Sequence, residues 1–554
     1  MPVTFATGIQ KSLVQTDRRI APWIFVMLLV SYGYFHQGGG WGQNSRFNQV
    51  RAIVENQQLE INDYWVFQVV ATDSVHPKIA RLVLPQNSDP RQFLPLASTA
   101  DVSFFNGKIV PNKPPGTVLL TVPAYWLIYQ VESFLEIDPD SWWTLTLNAH
   151  LSSALSVGLI TALGGVVFYL TSKRLLIDSP TWTHVASTLT YGLGTLILPF
   201  ATLLFDHGLT ASFSLFAFYF LLAERHGGFE SIRSGLCYFL SGVFCGVIVM
   251  LNYAALISVG CLISYGCWIS KRKTDFVLYS FLGAALPIAL LLWYHFVCFG
   301  SPFATAHTNQ LAMFHSADAA VLGMLGVPRF EVIYELLFSY YRGLFYSSPV
   351  LLLALISLIQ MVWKRQCRPE AYLIGAVFIA YLLMNSAFNH WHAGWTFGPR
   401  YLIPALPFLA LPLALAFMQL PRIASGLAVF SASLILLITT VDPQVPSETK
   451  NPLYDHVLAL AQGDRFVWNG INIEGPVSAN PIGVFEGWDR PDAGINAARR
   501  RWHSFNLGEF FWQGSFWSLT PLLVFLGIGL FGIRQQLEKM EKVPPAMVAK
   551  VSSS

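Results

Sequence analysis

Residues 271–298 read KRKTDFVLYSFLGAALPIALLLWYHFVC, a basic triplet (Lys271-Arg272-Lys273) followed by an apolar run over 275–298. A hydrocarbon core is crossed by a helix of about 20 apolar residues, and Lys and Arg collect on its cytoplasmic flank. The stretch therefore reads as a membrane helix entered from the cytoplasm. Working outward, similar runs lie near 20–35, 116–135, 146–171, 182–205, 209–223, 236–251 and 253–270. Others lie near 346–363, 371–388, 401–418, 424–441 and 517–533. These runs predict an all-α polytopic membrane protein, a bundle of about 11–13 transmembrane helices with a long first extracytoplasmic loop.

Composition agrees. Of 554 residues, 54% are hydrophobic and 12% charged, about half the charge of a soluble domain. The 42 Phe, 21 Tyr and 17 Trp suit rings that anchor helices at the headgroup level. A net charge of +3 without a basic stripe gives nucleic acid no support as a partner; the bilayer is the partner implied. Cys237, Cys245, Cys261, Cys267, Cys298 and Cys367 lie in or beside apolar runs, so no disulfide framework or CxxC metal spacing is indicated.

Orientation follows from the cations. Lys271-Arg272-Lys273, the Lys364-Arg365 to Arg368 cluster and the tail with Arg534, Lys539 and Lys542 read as cytoplasmic. So do Lys173, Arg174, Arg225 and Arg233. Strict alternation conflicts with this set if 116–135 is a full crossing. Either that run dips in without crossing, which the charges favour, or 236–270 is one bent helix. The organisation expected is a cytoplasmic N-terminus (1–19), a transmembrane domain over 20–441 with outer loop 36–115, and an extracytoplasmic appendage over 442–516. A last helix (517–533) and a cytoplasmic tail (534–554) complete an inner or plasma membrane protein. The appendage is too long for a plain connector. It reads at least as readily as a lid or partner surface without chemistry as it does as a part of the substrate site.

Within the outer loop, Phe47, Val50, Ile53 and Val54 recur at helical spacing, predicting a short amphipathic helix along the interface. Lys113 precedes Pro114-Pro115, which hold it on extended chain where a lipid phosphate would meet it. An ordinary snorkelling lysine reads the same way. Gly398-Pro399-Arg400-Tyr401 places a guanidinium, suited to bidentate phosphate contact, at another outer helix start. Asp206-His207 and Tyr341-Arg342 lie at the rims of apolar runs, where charge is a functional candidate. His390 and His392 have weak metal-ligand spacing and no third ligand.

The order of these features, with Lys113-Pro114-Pro115 before a membrane segment and Trp395 to Pro407 late in the chain, resembles the bacterial branch of the C-type-fold (GT-C) glycosyltransferases. That branch includes the protein mannosyltransferase and aminoarabinose transferase group. Phe299-Gly-Ser-Pro-Phe303, Tyr341-Arg-Gly-Leu-Phe345 and Ser348-Pro349 recur there as well, and the resemblance spans roughly 20–420. It implies transfer of a sugar from a polyprenyl-phosphate donor to an acceptor at the outer face. An acidic residue of the first loop would be the base, with Lys and Arg on the phosphate: Lys113, matching the family lysine, with Arg400 and Arg46. Asp206, His207, Arg342, His390 and His392 are expected to line the substrate site. Where relatives carry an Asp-Glu pair this chain reads Gln43-Asn44-Ser45-Arg46-Phe47. The base has then moved to Asp101 or Asp63, or transferase activity is lost. Asp101 also reads as a turn former near Asn106-Gly107. No cofactor is required and no metal site is expected, although more distant relatives leave a divalent cation open. A flippase or transporter of a lipid-linked substrate and a non-catalytic assembly subunit are the alternatives.

Overall fold

The computed structural model describes residues 19–65, 67–70, 78–82, 99–227, 231–310, 325–462, 467–468, 471–472, 504–512 and 515–541. Two of the apolar runs are broken at prolines, since an interior proline removes a backbone donor and clashes with the preceding turn, whereas Lys273–Phe299 and Gly116–Phe134 run on through Pro287 and Pro123. The run near 182–205 ends its first helix at Leu193 and resumes briefly over Ile197–Ala201, around Pro199. The run near 401–418, carrying Pro404, Pro407 and Pro412, is two helices, Arg400–Ala410 and Leu413–Gln419, bent by 53°.

Among the described residues, 6 helices are long and apolar enough to cross a membrane, or up to 7 with the bent pair as one span. Shorter apolar helices are Arg19–Gly33, Tyr253–Ile269 and Leu351–Trp363. The chain is an all-α polytopic membrane protein, with 6 to 7 helices of crossing length among the described residues where the apolar runs predict about 11–13. The elements that build the site are α1 (Arg19–Gly33), α2 (Trp41–Asn56), α3 (Gly116–Phe134), α4 (Trp143–Leu175), α5 (Asp206–Gly227) and α6 (Ser231–Leu251). They are joined by the hairpin of β1 (Val102–Phe105) and β2 (Lys108–Pro111). Asn106 and Gly107, both at positive φ, form its two-residue turn, as tight hairpins require.

Helix α3 settles the parity conflict. Its first residue, Gly116, lies against Met250 and Leu251 at the end of α6. At its other end Glu132 accepts from Asn148 of α4. Two residues on, His150 packs edge-on against His36, just past α1. Both ends of α3 thus lie on the face where α1 ends, and α3 does not cross. Its exposed side carries Trp126, Leu127, Val131 and Phe134. Arg225 pairs with Glu370 and Cys367 donates to the Leu175 carbonyl on the opposite face, where Lys173 and Arg174 also lie. Cations gathered opposite the site are the disposition that membrane insertion favours. The last helix, Thr520–Glu541, returns alongside α1, with Gly532 against Trp23.

Helix α2 differs from expectation. It is not a half-exposed interfacial helix: Gly42 through Ala52 are buried. Their polar groups are spent inside the protein, as Gln49 on the Leu59 carbonyl and Tyr294 and Asn48 on the Tyr64 carbonyl. Arg51 binds Glu55 and Asp140. Glu55 also accepts from Tyr64 and Tyr125, which fastens α2 to α3.

Candidate functional site

Buried charge demands a partner, and α2 meets that demand at Arg46. Its guanidinium is 2% exposed and donates to Asp206 Oδ1 at 2.6 Å and to the Gly42 carbonyl at 2.7 Å. Asp206 Oδ2 accepts from Asn252 at 2.7 Å, so both carboxylate oxygens are engaged. Burial, with a smaller push from Arg400, holds Arg46 below the usual arginine range, while Asp206 and Asp101 act the other way. His207 packs its ring against Tyr401, Phe200 and Phe205.

The hairpin delivers the second carboxylate. Asn112 N–H donates to the Asp101 carbonyl and Asn112 Nδ2 to Asp101 Oδ1. Lys113 Nζ stands 3.6 Å from Asp101 Oδ1, with Asp101 13% and Lys113 29% exposed. A Cβ placed on Gly42 would lie 3.2 Å from Asp101 Oδ2, 3.3 Å from Arg46 and 2.8 Å from Phe205, so these groups share one small space. Asp101 sits at the base of the hairpin, away from its turn.

Arg400 arrives from the far end of the chain. Its guanidinium lies over Phe205 and over Tyr401, 5.3 and 5.5 Å from the ring centroids. Among the described residues its buried Nε has no hydrogen-bond partner. The preceding loop is held by Arg342, 1% exposed, which donates to the carbonyls of His392, Gly394 and Thr396 at 3.1, 3.1 and 2.6 Å. Burial lowers Arg342 to about 10. Its donors being spent on this loop, Arg342 acts as a staple for the chain leading to Arg400. Gly398 in that loop has φ +67, and a side chain there would meet Leu196. Glycine is therefore required on both counts.

His392 belongs to the same loop: its Nδ1 accepts from Gly394 N–H. Burial first, then Arg342, His390 and Arg400, lower it to about 4, so it is neutral near pH 7. His390 is exposed. Among the described residues no three His, Cys, Asp or Glu side chains gather to hold a metal ion.

Of the residues named from sequence, the structure brings together Asp101, Lys113, Arg46, Asp206, His207 and Arg400, with Arg342 and His392 behind Arg400. Asp63 is not among them. It is exposed in the 3₁₀ turn Asn62–Tyr64, beside the hairpin tip, where Asn62 donates to the Gly107 carbonyl. Gln43 and Asn44, in place of the expected carboxylates, are amides at work: Gln43 donates to Gln444 Oε1 and Asn44 Oδ1 accepts from Gly40 N–H. Sequence reading missed Phe205, Asn252 and Gln444. Phe205 adjoins a flagged pair and was within reach; nothing local distinguishes the other two.

No family model matches the chain, and no curated protein matches it. Among solved structures it is similar to ArnT from Cupriavidus metallidurans bound to undecaprenyl phosphate, at 15% identity and a TM-score of 0.43. The apo state of ArnT from Cupriavidus metallidurans is similar too, at 15% identity and a TM-score of 0.42. Each alignment covers 78% of this chain and 64% of the ArnT chain, so this chain spans less than two thirds of that protein's length.

Proposed function

We propose that the chain is an integral membrane glycosyltransferase that moves a sugar from a polyprenyl-phosphate donor to an acceptor, on the face bearing the Asp101–Lys113–Arg400 cluster. One observation carries the reading. Arg400 is held over Phe205 and Tyr401 with its Nε buried and unpartnered, while the neighbouring cations already have carboxylates, Asp206 for Arg46 and Asp101 for Lys113. A fixed guanidinium lacking an anion among the described residues suits a phosphate.

The chemistry is balanced on these groups. The acceptor oxygen bonds to the anomeric carbon as the bond from that carbon to the phosphate oxygen breaks. The electron pair leaves with the phosphate, whose charge grows by one and is met by Arg400 and Lys113. The acceptor proton passes to Asp101, the carboxylate at the mouth of the cluster. Asp206 is excluded as base, because both its oxygens are occupied.

The test is sugar transfer or release from a panel of polyprenyl-phosphate sugars by purified wild type and Asp101→Asn. Lost turnover with donor binding retained supports the transferase and its base. Donor binding without turnover in wild type favours the transporter or assembly-subunit readings, and absence of donor binding overturns the proposal.

A further inference from the structure

The first residues after the helix Pro421–Val441, 442–447, pack against the loop that carries Arg400 and against α2. Val441 through Pro446 are buried. The strip follows the loop that carries Arg400, with Thr396 N–H donating to the Val445 carbonyl and Phe397 N–H to the Pro443 carbonyl, both at 2.8 Å. Its far end is tied by Tyr341, whose hydroxyl donates to the Ser447 carbonyl. On its other side Gln444 accepts from Gln43 of α2 at 3.1 Å and donates to the Gln37 carbonyl at 3.3 Å. Gln444 is itself oriented by Asp442, whose Oδ1 accepts its N–H at 2.8 Å while Oδ2 lies 3.1 Å from His456 Nε2. Gly40 passes so close that a Cβ there would fall 2.5 Å from Gln444 Oε1.

The two attachments have matching positions. Gln43 stands three residues before Arg46 on one helix, and Phe397 three residues before Arg400 on the loop. One strip thus holds both guanidiniums that share the Phe205 ring, across some 350 residues of intervening chain.

We propose that Gln444 is a positioning residue: the 442–447 strip sets the separation of Arg46 and Arg400, and with it the fit of the site for a phosphate. The inference rests on the donor reading above and adds to it that the segment after the bundle is part of the substrate site. A misplacement of about 1 Å is enough to cost a large factor in binding or rate.

The experiment measures binding of a polyprenyl phosphate to the full-length protein in detergent. The variants are Gln444→Ala, Gln43→Ala, Arg400→Ala and the pairs Gln43→Ala/Gln444→Ala and Arg400→Ala/Gln444→Ala, each with its thermal midpoint. Gln444→Ala and Gln43→Ala are each expected to weaken binding by about tenfold, and their double variant no further than Gln444→Ala, because that variant already lacks the bond to Gln43. Arg400→Ala/Gln444→Ala is expected to bind no worse than Arg400→Ala, a non-additivity that general destabilisation would not produce. If Gln444→Ala lowers the midpoint sharply, Gln43→Ala, on the other side of the same bond, carries the test. Wild-type binding in both Gln variants, with binding lost in Arg400→Ala, overturns the positioning role and leaves the donor reading standing. A wild type that binds no polyprenyl phosphate overturns the donor reading and this role together.

Discussion

Arg46 and Arg400, separated by most of the chain, each place a guanidinium 5.3 Å from the centroid of the Phe205 ring. Two like charges are brought together only where something holds them. Here Asp206 answers Arg46, Arg342 staples the loop that carries Arg400, and the ring offers its face to both.

Removing Asp206 leaves a buried, uncompensated guanidinium. Asp206→Ala is expected to destabilise the fold by about 3–5 kcal/mol, read as a lowered unfolding midpoint in detergent. Arg46→Met/Asp206→Leu is expected to recover most of that loss, since it removes both charges. An Asp206→Ala protein as stable as wild type would contradict the pairing.

Arg400→Ala is expected to weaken binding of a polyprenyl phosphate by about 2 kcal/mol or more. Arg400→Lys should restore only part of it, because a point charge cannot reproduce the planar fork or its contact with Phe205 and Tyr401. Equal affinities in all three proteins would remove Arg400 from the site.

The two carboxylates named from sequence should separate in kinetics. Asp101→Asn is expected to lower turnover by about 10²–10⁴-fold, the usual worth of a general base, at unchanged donor affinity. Asp63→Asn, at an exposed turn, is expected to match wild type. The reverse pattern would move the base to the hairpin tip.

His392 gives a pH dependence of definite sign. Its folded value of about 4 lies below the ordinary 6.5, so the unfolded chain takes up its proton first as pH falls. The stability contributed by the neutral ring is full above about 6.5 and is lost progressively between about 6.5 and 4. Protonation also removes the acceptor for Gly394 N–H. The midpoint should therefore drop across that window, and His392→Asn should flatten the drop. An identical pH profile in the variant would count against it.

The bundle was legible in the sequence because apolar length and flanking cations are local properties. The breaks at 194–196 and near 411 were legible only as Pro199 and as Pro404, Pro407 and Pro412, residues that a hydropathy window averages away. Asp101 and Lys113 were within reach, lying on one hairpin closed by Asn106-Gly107. Arg46 and Asp206 were each visible, but not their pairing, since the 160 residues between them give no local sign of contact. Helix α2 misled for a related reason: apolar spacing shows which face is buried, and cannot show that hydrogen bonds bury the polar face too. Gln444 lies inside the segment that reads as an appendage, and its place is shown by backbone pairing of 443 and 445 with 396–397 and by its bonds to Gln43 and Gln37.

Helix α3 also bears on how the protein is made. A ribosome translating this chain releases Gly116–Phe134, a 19-residue helix that reads in sequence as an apolar run, before α4 has emerged. The finished protein keeps it on the side already reached. Reporter tags fused at Asp138 and at Ser179 would therefore light up in opposite compartments, whereas tags at Gln57 and Asp138 would report the same one.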